Sequence, residues 1–337
     1  MKKILITGGL VFPVVLFICL SIGRYPIEPG RVAGLLLAPF GIENRLFEAP
    51  MDMMMIFWNV RVPRIILSIF VGAGISTAGA VFQALFRNPL AAPDILGVTF
   101  GSGFGAALAI MFFAPVALVI QTSAFAFGIT AVTLAYILAS LSRDSSPSVL
   151  VISGIVISAI FQAGLSFIMY IANPYDQLAQ IVFWTMGSFN TASWIKVGAT
   201  VPLLLPGIML IMIFSWRLNI MTQGEEDAGS MGIHVVRWRY FYVIVSTLMV
   251  ASSVANVGNV AWIGLIVPHI ARYLAGSEHR RLIPMTAMLG GLFLMVMDTV
   301  ARSVMLSEIP ISIVTSIFGA PFLGYLVVSA GKARVFS

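Results

Sequence analysis

Residues 61–84, RVPRIILSIFVGAGISTAGAVFQA, contain an uncharged run after Arg64 that is long enough to cross a lipid bilayer. A transmembrane helix needs about 20 apolar residues, and a helix satisfies its own backbone hydrogen bonds where there is no water. Glycines such as Gly72 and Gly74 suit the close approach of one membrane helix to another. This stretch therefore predicts a transmembrane helix, and the rest of the chain repeats its pattern.

The composition of the whole chain is that of a membrane protein. Of its 337 residues, 59% are hydrophobic and only 9% are charged, whereas soluble domains have about 25% charged residues. A water-soluble globular domain is therefore excluded. The formal net charge is +6, but the basic residues are scattered between apolar runs and form no patch for nucleic acid. We expect the lipid bilayer as a partner and no nucleic acid.

Apolar runs separated by charged residues and prolines predict an all-α polytopic membrane protein with about ten transmembrane helices. Residues 1–337 then form a single transmembrane domain. Lys2 and Lys3 precede the first run, and no small-residue cleavage pattern follows it, so we interpret it as an uncleaved span rather than a signal peptide. The predicted spans are 4–22, 61–84, 93–113, 116–141, 148–171, 191–215, 238–258, 261–275, 282–302 and 308–330.

The distribution of basic residues orients these spans. Ten spans place both termini on one side of the membrane. If that side is the cytoplasm, twelve Lys and Arg residues lie inside and seven outside, as the positive-inside rule favours. Five of the external residues lie between the first two spans, and they are Arg24, Arg31, Arg45, Arg61 and Arg64.

Three segments are predicted to lie outside the bilayer. Residues 23–60 and 172–190 are external, and the second should contain a short helix. Residues 216–237 are internal and include the polar stretch TQGEEDAGSMG at 222–232. Thr222 precedes Glu225 by three residues, which is a capping-box pattern, and three successive acids suit the N-terminal end of a helix dipole. The internal segment should therefore form one or two short helices in water.

The sequence carries no enzyme signature and no metal site. The three histidines are scattered, and none pairs with another at metal-ligand spacing. No nucleotide-binding loop is present, so we expect no cofactor bound directly. Asp298 and Arg302 are four residues apart on a predicted helix, which favours a local ion pair. Ionisable groups in mid-span usually mark proton relays or membrane-embedded active sites, and their scarcity here disfavours both.

Four blocks of sequence resemble the FecCD/cobalamin-type permease family of type II ABC importers, which carries iron chelates, haem and cobalamin. The blocks follow one another in the family's order over nearly the whole chain. Small departures are Val62, where leucine or isoleucine is commoner, and Glu278, where aspartate is usual. The blocks are 61–64 with 79–83 and 87–97; 184–188; 263–272 with 278–281 and Pro284; and 298–302 with 308–310 and 319–321.

The resemblance implies a homodimer with its translocation path at the dimer interface, in a bacterial or archaeal inner membrane. Two cytoplasmic ATPase subunits, which hold ATP and Mg, would bind inside, and a substrate-binding protein would dock outside. The chain itself would be a non-catalytic subunit. Arg61, Arg64 and Arg302 match arginines that take carboxylates of the binding protein, for which a guanidinium is well shaped. Anchoring at the membrane interface is the alternative for these three.

Two further sets of residues take roles from the same resemblance. One set lies near the cytoplasmic gates and includes Asn88, although Asn88-Pro89 is also an ordinary helix-ending turn. The ATPase-coupling set is Glu225, Glu226, Asp227, Ala228, Gly229, Met231 and Gly232, and the gate set is Asn88, Leu90, Pro147 and Ser148.

The cargo stays open at this stage. A metal chelate of the ferric siderophore, haem or cobalamin class is the first expectation, and molybdate or tungstate is the alternative within the family. A secondary transporter not driven by ATP is the alternative from another class. The methionines at 51–55 are more typical of gap filling than of metal or haem ligation.

Overall fold

The computed structural model of the chain describes residues 2–40, 49–113, 116–142 and 147–335, and every regular element in those ranges is helical. The helices are α1 Lys2–Ser21, α2 Pro29–Leu37, α3 Met51–Ile56, α4 Val62–Leu85, α5 Val98–Phe112, α6 Ala117–Ser140, α7 Pro147–Ile171, α8 Gln177–Met186, α9 Trp194–Met221, α10 Glu225–Ser230, α11 Val235–Val257, α12 Ile263–Ala275, α13 His279–Ser303 and α14 Ile311–Val335. Some residues used for the orientation fall outside this description: Arg45 and Arg143 entirely, and Lys2, Lys3, Lys332 and Arg334 in their side chains.

The all-helical membrane prediction is confirmed. Six described helices are long and apolar enough to cross a membrane, when α3 and α4 are counted as one continuous helix, Met51–Leu85. Shorter apolar helices occupy the remaining four predicted spans, at Leu10–Ser21, Val98–Phe112, Ile263–Ala275 and Ile311–Tyr325. Each predicted span therefore contains one apolar helix.

The helix that contains the second predicted span, 61–84, begins ten residues before that span. The helix begins at Met51 and continues into α4 through a wider π turn at Phe57–Arg61. A proline lacks the backbone N–H and clashes with the carbonyl four residues before it. The π turn lies directly before Pro63 and relieves this conflict without ending the helix. The predicted external segment 23–60 is accordingly largely helical where it is described.

The predicted span 93–113 is divided into two parts. A short 3₁₀ turn covers Pro93–Leu96, and Gly97 then adopts a left-handed conformation with φ of +85°. Glycine takes this conformation at little cost because it has no Cβ. The chain changes direction at this residue, and α5 begins immediately after it.

Helix α4 lies at the centre of the bundle. It packs against α9, α11, α12 and α13, and 83% of its most apolar stretch is buried within the chain, against 28% for α7. Two glycines of α4 let its backbone contact the backbones of α12 and α13 directly. A Cβ on Gly72 would collide with the Gly290 carbonyl of α13, and one on Gly79 with the Gly264 carbonyl of α12. Helix α7 therefore belongs to the periphery, where its exposed apolar side chains suit lipid or another subunit.

The bundle has two ends that differ in their polar side chains. We call the arginine end the one where α4 begins and α13 ends, with Arg61, Arg64 and Arg302. We call the α10 end the opposite one, where α9 ends and α10 and α11 begin. The predicted helix in the segment 172–190 is confirmed as α8, which lies at the arginine end.

Candidate functional sites at the two ends of the bundle

One guanidinium holds two carboxylates at the arginine end. Arg64 Nε lies 3.1 and 3.0 Å from the two oxygens of Asp298, and Arg64 Nη2 lies 2.9 Å from the first of them. The two terminal nitrogens of Arg64 also donate to the two oxygens of Glu308, at 2.9 and 3.0 Å. The exposed fractions of the side chains are 6% for Arg64, 1% for Asp298 and 21% for Glu308. Such burial of charge is tolerated because both carboxylates are paired and hydrogen-bonded.

The other two arginines bind the end of α1. Arg302 Nη2 donates to the carbonyl of Cys19 at 2.6 Å, and Arg61 donates to the carbonyls of Leu20 and of Tyr25, the latter at 2.6 Å. The last carbonyls of a helix have no partner within it, and they carry the negative end of the helix dipole. The two arginines therefore cap α1 and connect it to α4 and α13.

The structure brings the three predicted docking arginines together but buries all of them. Arg61, Arg64 and Arg302 are 3%, 5% and 6% exposed. The predicted pair of Asp298 and Arg302 is present, with Nε 3.9 Å from the carboxylate, but Arg64 makes the closer contact with Asp298. Three arginines face two carboxylates in this cluster, so it keeps an excess of positive charge. Docking of a binding protein at these arginines stays a prediction.

Backbone hydrogen bonds join α8, α11 and α14 at the same end. Ser188 N donates to the Val257 carbonyl at 2.8 Å, and Ile311 N donates to the Gly187 carbonyl at 2.9 Å. Gly187 has a φ of +71°, and a Cβ there would collide with the Asn259 carbonyl. The blocks 184–188 and 308–310, far apart in sequence, are therefore neighbours in the fold.

The α10 end carries a polar segment supported by two buried side chains. Ala228 is completely buried and Ile233 is 7% exposed, whereas Met231 is 58% exposed. Glu226, Asp227 and Gly229 are also exposed. Ala228 N donates to the Gly224 carbonyl and Ile233 N to the Ala228 carbonyl, both at 3.0 Å. The segment is thus an ordered element with an acidic surface, and the side chain of Glu225 lies outside the described residues.

The predicted capping box at Thr222 is wrong. Thr222 ends α9, where its hydroxyl donates to the Asn219 carbonyl at 2.8 Å. The residue at the N-cap of α10 is Gly224. The pattern misleads because α9 continues to Met221, so Thr222 is used at the end of one helix and is not free to begin the next. Gly232, with φ of +77°, then turns the chain toward α11.

The sequence profile of the FecCD transport family matches residues 11–329. The chain belongs to this family. The molybdate import system permease protein of Haemophilus influenzae is 39% identical over 327 residues, 96% of this chain and 95% of that protein. The Fe(3+)-citrate import system permease protein of Bacillus subtilis is 35% identical over 299 residues, 88% and 89% of the two chains. A solved inward-facing structure of a putative metal-chelate type ABC transporter is 35% identical, with a TM-score of 0.87 over 98% of this chain and all of that one.

As a FecCD-family member, the chain is a permease component of an ABC importer, a transport subunit rather than a catalytic one. Its described residues contain no group of three His, Cys, Asp or Glu side chains that could hold a metal ion. The names of further relatives cover cobalamin, hydroxamate and haem import. The family is therefore established, and the names span several kinds of cargo.

The predicted gate residue Asn88 makes a local turn in this FecCD-family chain. Its Oδ1 accepts a hydrogen bond from Leu90 N at 2.9 Å, and Leu90 is 54% exposed. The intervening Pro89 carbonyl contacts His269 Nε2 at 2.9 Å, which links the end of α4 to α12. Pro147 and Ser148 begin α7, and no described hydrogen bond joins them to this turn. The structure leaves the gate assignment as a prediction.

Sequence reasoning missed a second polar link, at the α10 end. Asn219 Oδ1 accepts from both the backbone N and the ring Nδ1 of His279, at 2.8 and 2.7 Å. Asn219 Nδ2 donates to Glu278 at 3.3 Å. One asparagine of α9 therefore caps the start of α13. The only signal in the sequence was that Asn219 and the pair Glu278-His279 lie beside predicted span ends on the same side of the membrane. Many sequences share such a pattern.

Proposed function

We propose that the chain is the permease subunit of an ABC importer in which two copies enclose a translocation path. Each copy crosses the inner membrane ten times, with both termini and the α10 end in the cytoplasm and the arginine end outside. The observation that carries the proposal is the ordered acidic segment at the α10 end. Helix α10 lies between α9 and α11 in the chain. Its side chains Glu226 and Asp227 are exposed, so they are not needed to hold the bundle together.

Two ATPase subunits bind this cytoplasmic segment and hold the ATP and Mg. Ala228 and Ile233 anchor the segment to the bundle, while Glu226, Asp227 and Met231 lie exposed on it. Closure of the ATPase dimer displaces an element that is fixed between two membrane helices. Packed helices respond to such displacement by hinge and shear motion. The translocation path thereby opens to one side of the membrane and then to the other.

A substrate-binding protein docks at the arginine end. The excess of positive charge there supports this assignment, because long-range complementarity steers an acidic partner and fixes its orientation. Arg61, Arg64 and Arg302 are buried and hold internal partners, so they contribute mainly through their field. Exposed Arg24 adds positive charge on the same outer segment, whereas half-buried Arg31 is paired with Glu28.

The cargo is a metal chelate of the ferric siderophore, haem or cobalamin class. Relatives named for Fe(3+)-citrate and hydroxamate import support this class. Molybdate or tungstate is the second candidate, and it is favoured by the relative named for molybdate import, at 39% identity over 96% of the chain. Titration of the partner binding protein with ferric chelates and with molybdate decides between the two.

Reconstitution in liposomes tests the proposal. The permease is combined with its ATPase and binding protein, and uptake of labelled cargo is measured with and without ATP. We expect uptake only when ATP and both partners are present, and no effect of an uncoupler. A secondary transporter gives the opposite pattern. Uptake that continues without the ATPase and stops on addition of an uncoupler would overturn the proposal.

A further inference from the structure

A cavity of about 740 Å³ opens at the arginine end between α5, α6, α8, α9 and α11. Its walls combine apolar side chains such as Ile110, Phe183 and Trp184 with polar ones from α8 and the start of α9. Sites for small molecules usually measure about 300–1,000 Å³ and have this mixture of an apolar wall and a few polar groups. The cavity is therefore large enough for a solute of a few tens of atoms.

Lys196 places a positive charge on the wall of this cavity. Its Nζ donates to Thr191 Oγ1 at 2.6 Å and to the Asn256 carbonyl at 2.7 Å. Both partners are neutral, and none of the ion pairs in the described part of the chain includes Lys196. An ammonium group has three donors, so one remains for a ligand. Low-polarity walls strengthen the attraction of such a charge for an anion.

The position of Lys196 is unfavourable for the fold alone. The residue lies in the first turn of α9, whose N-cap is Ser193, and a cation at the positive end of a helix dipole is destabilising. The dipole and the ammonium group therefore present the same sign of charge to the cavity. Arg24 adds a third positive element at the rim, where it makes no hydrogen bond or ion pair among the described residues.

Of the two carboxylates on the cavity wall, only Asp176 has no ion pair among the described residues, and its charge is screened because the side chain is exposed to water. Glu308 is already engaged by Arg64 through two hydrogen bonds, and Asp176 lies exposed and accepts from Gln180. Asn256, which is 7% exposed, has a buried Oδ1 without a hydrogen-bond partner on the same wall. This oxygen is closed off from the cavity and is itself an acceptor, so the donors for an anion on this wall come from Lys196.

We propose that this cavity is a binding site for the anionic oxygen atoms of the transported solute, with Lys196 as its fixed positive charge. This inference deepens the proposed function and rests on it. Tetrahedral oxyanions and carboxylate-bearing ferric chelates share the required chemistry, and both fit the volume. Under the proposed function this cavity lies at the outer face, where the binding protein releases the solute.

Direct binding tests the site without transport. The permease–ATPase complex in lipid nanodiscs is dialysed to equilibrium against molybdate and, in a separate arm, against ferric citrate, with no binding protein present. Loss of a charged hydrogen bond changes affinity by about tenfold, so we expect Lys196→Gln to weaken binding about tenfold in at least one arm. Lys196→Arg, which keeps the charge, should bind within about threefold of wild type. The arm that responds identifies the source of the anionic oxygens.

Two further variants separate binding from stability. Lys196 also caps the last turn of α11 through the Asn256 carbonyl, so Lys196→Gln is expected to be less stable. Arg24→Gln removes a rim cation that has no internal partner, and it should weaken anion binding about two- to threefold without changing thermal unfolding. Arg31→Gln is the matched control, because Arg31 lies on α2 outside the cavity and pairs only with exposed Glu28 at 3.5 Å. It should bind anions as wild type does.

Three results would overturn the proposal. The first is that wild type binds neither anion. The second is that Lys196→Gln, Lys196→Arg and Arg31→Gln bind equally well. The third is that Lys196→Gln binds both anions as wild type does but loses affinity for the binding protein in a separate titration, which would make the cavity a pocket for a docking carboxylate. Failure of the proposed function is a separate result, since it appears as wild-type uptake that does not need ATP.

Discussion

The two ends of the bundle use charged residues in opposite ways. At the arginine end, Arg64 is 6% exposed in its side chain and is fully occupied by Asp298 and Glu308. At the α10 end, Glu226 and Asp227 lie exposed on a six-residue helix. Burial therefore separates charges that hold the fold together from charges that remain available to a partner. The sequence assigned a docking role to both ends, and only the structure distinguishes them.

The two ends also differ in how their helices are linked to one another. The arginine end joins α1, α4 and α13 through side chains that are far apart in sequence. The α10 end depends on local backbone hydrogen bonds around Ala228 and on Asn219, which bridges α9 and α13. Changes at the two ends should therefore differ in size and in the property they affect.

The largest effect is expected from Arg64→Met. The substitution leaves Asp298 and Glu308 without their partner, and removing one member of a buried ion pair costs about 3–5 kcal/mol. Thermal unfolding of the purified permease in detergent measures the loss. Arg31→Met, which breaks an exposed pair, should change stability by at most about 1 kcal/mol.

A compensating variant sharpens this test. Asp298→Asn together with Glu308→Gln removes the two unpaired charges, so adding them to Arg64→Met should recover part of the stability. If Arg64→Met unfolds at the same temperature as Arg31→Met, the buried network does not stabilise the arginine end.

A smaller effect is expected from Asn219→Ala at the α10 end. The change removes the acceptor for two His279 donors and the donor to Glu278, which should cost about 1–2 kcal/mol because these groups are only partly buried. Thermal unfolding again gives the measurement. Asn190→Ala is the control, since no described hydrogen bond uses the Asn190 side chain. Equal unfolding temperatures for the two variants would show that Asn219 does not fasten α9 to α13.

The smallest effect on stability is expected from Glu226→Gln combined with Asp227→Asn. Both side chains are exposed, so the free energy of unfolding should change by only about 0.5 kcal/mol. Association with the ATPase should weaken, and size-exclusion chromatography of the complex measures it. A destabilised permease that still assembles normally would reverse the roles given to the two ends.

The effect of salt concentration should distinguish the two ends without any mutation. Exposed charges are screened by ions, whereas buried pairs are screened much less. Raising the ionic strength about tenfold should therefore weaken permease–ATPase association while leaving thermal unfolding of the permease nearly unchanged. A large fall in the unfolding temperature would indicate that water and ions reach the Arg64 network.

Much of the helical framework follows from the sequence, because each apolar run is long enough to define one helix by itself. The same holds for α8 and for the pair of Asp298 and Arg302, which depend on residues a few positions apart. Arg64 and Asp298 are separated by 234 positions, and no local pattern connects them. Their contact depends on how α4 packs against α13.

Two local features that the sequence did not predict have a similar origin. Thr222 fits the start of a helix, but α9 extends one turn further than its charge pattern suggests and uses that threonine at its end. Residue 61 looks like a helix start because Arg61 and Arg64 flank Pro63, but a π turn carries the helix through the proline. In both places the structure is decided by what precedes the pattern along the chain.

The backbone contacts of α4 restrict how this permease can move. In the observed register Gly72 packs against the backbone of Gly290 on α13, and Ser76 fills the space that a side chain at Gly290 would need. Sliding α13 along α4 by one helical turn would replace Gly290 at this contact with a residue that has a side chain, for which there is no space. Gly79 imposes the same restriction on α12. We therefore expect α4, α12 and α13 to move together as one block in this register. Under the proposed function, a change of access from one side of the membrane to the other would then arise in the helices around that block, which contact it through side chains that can repack.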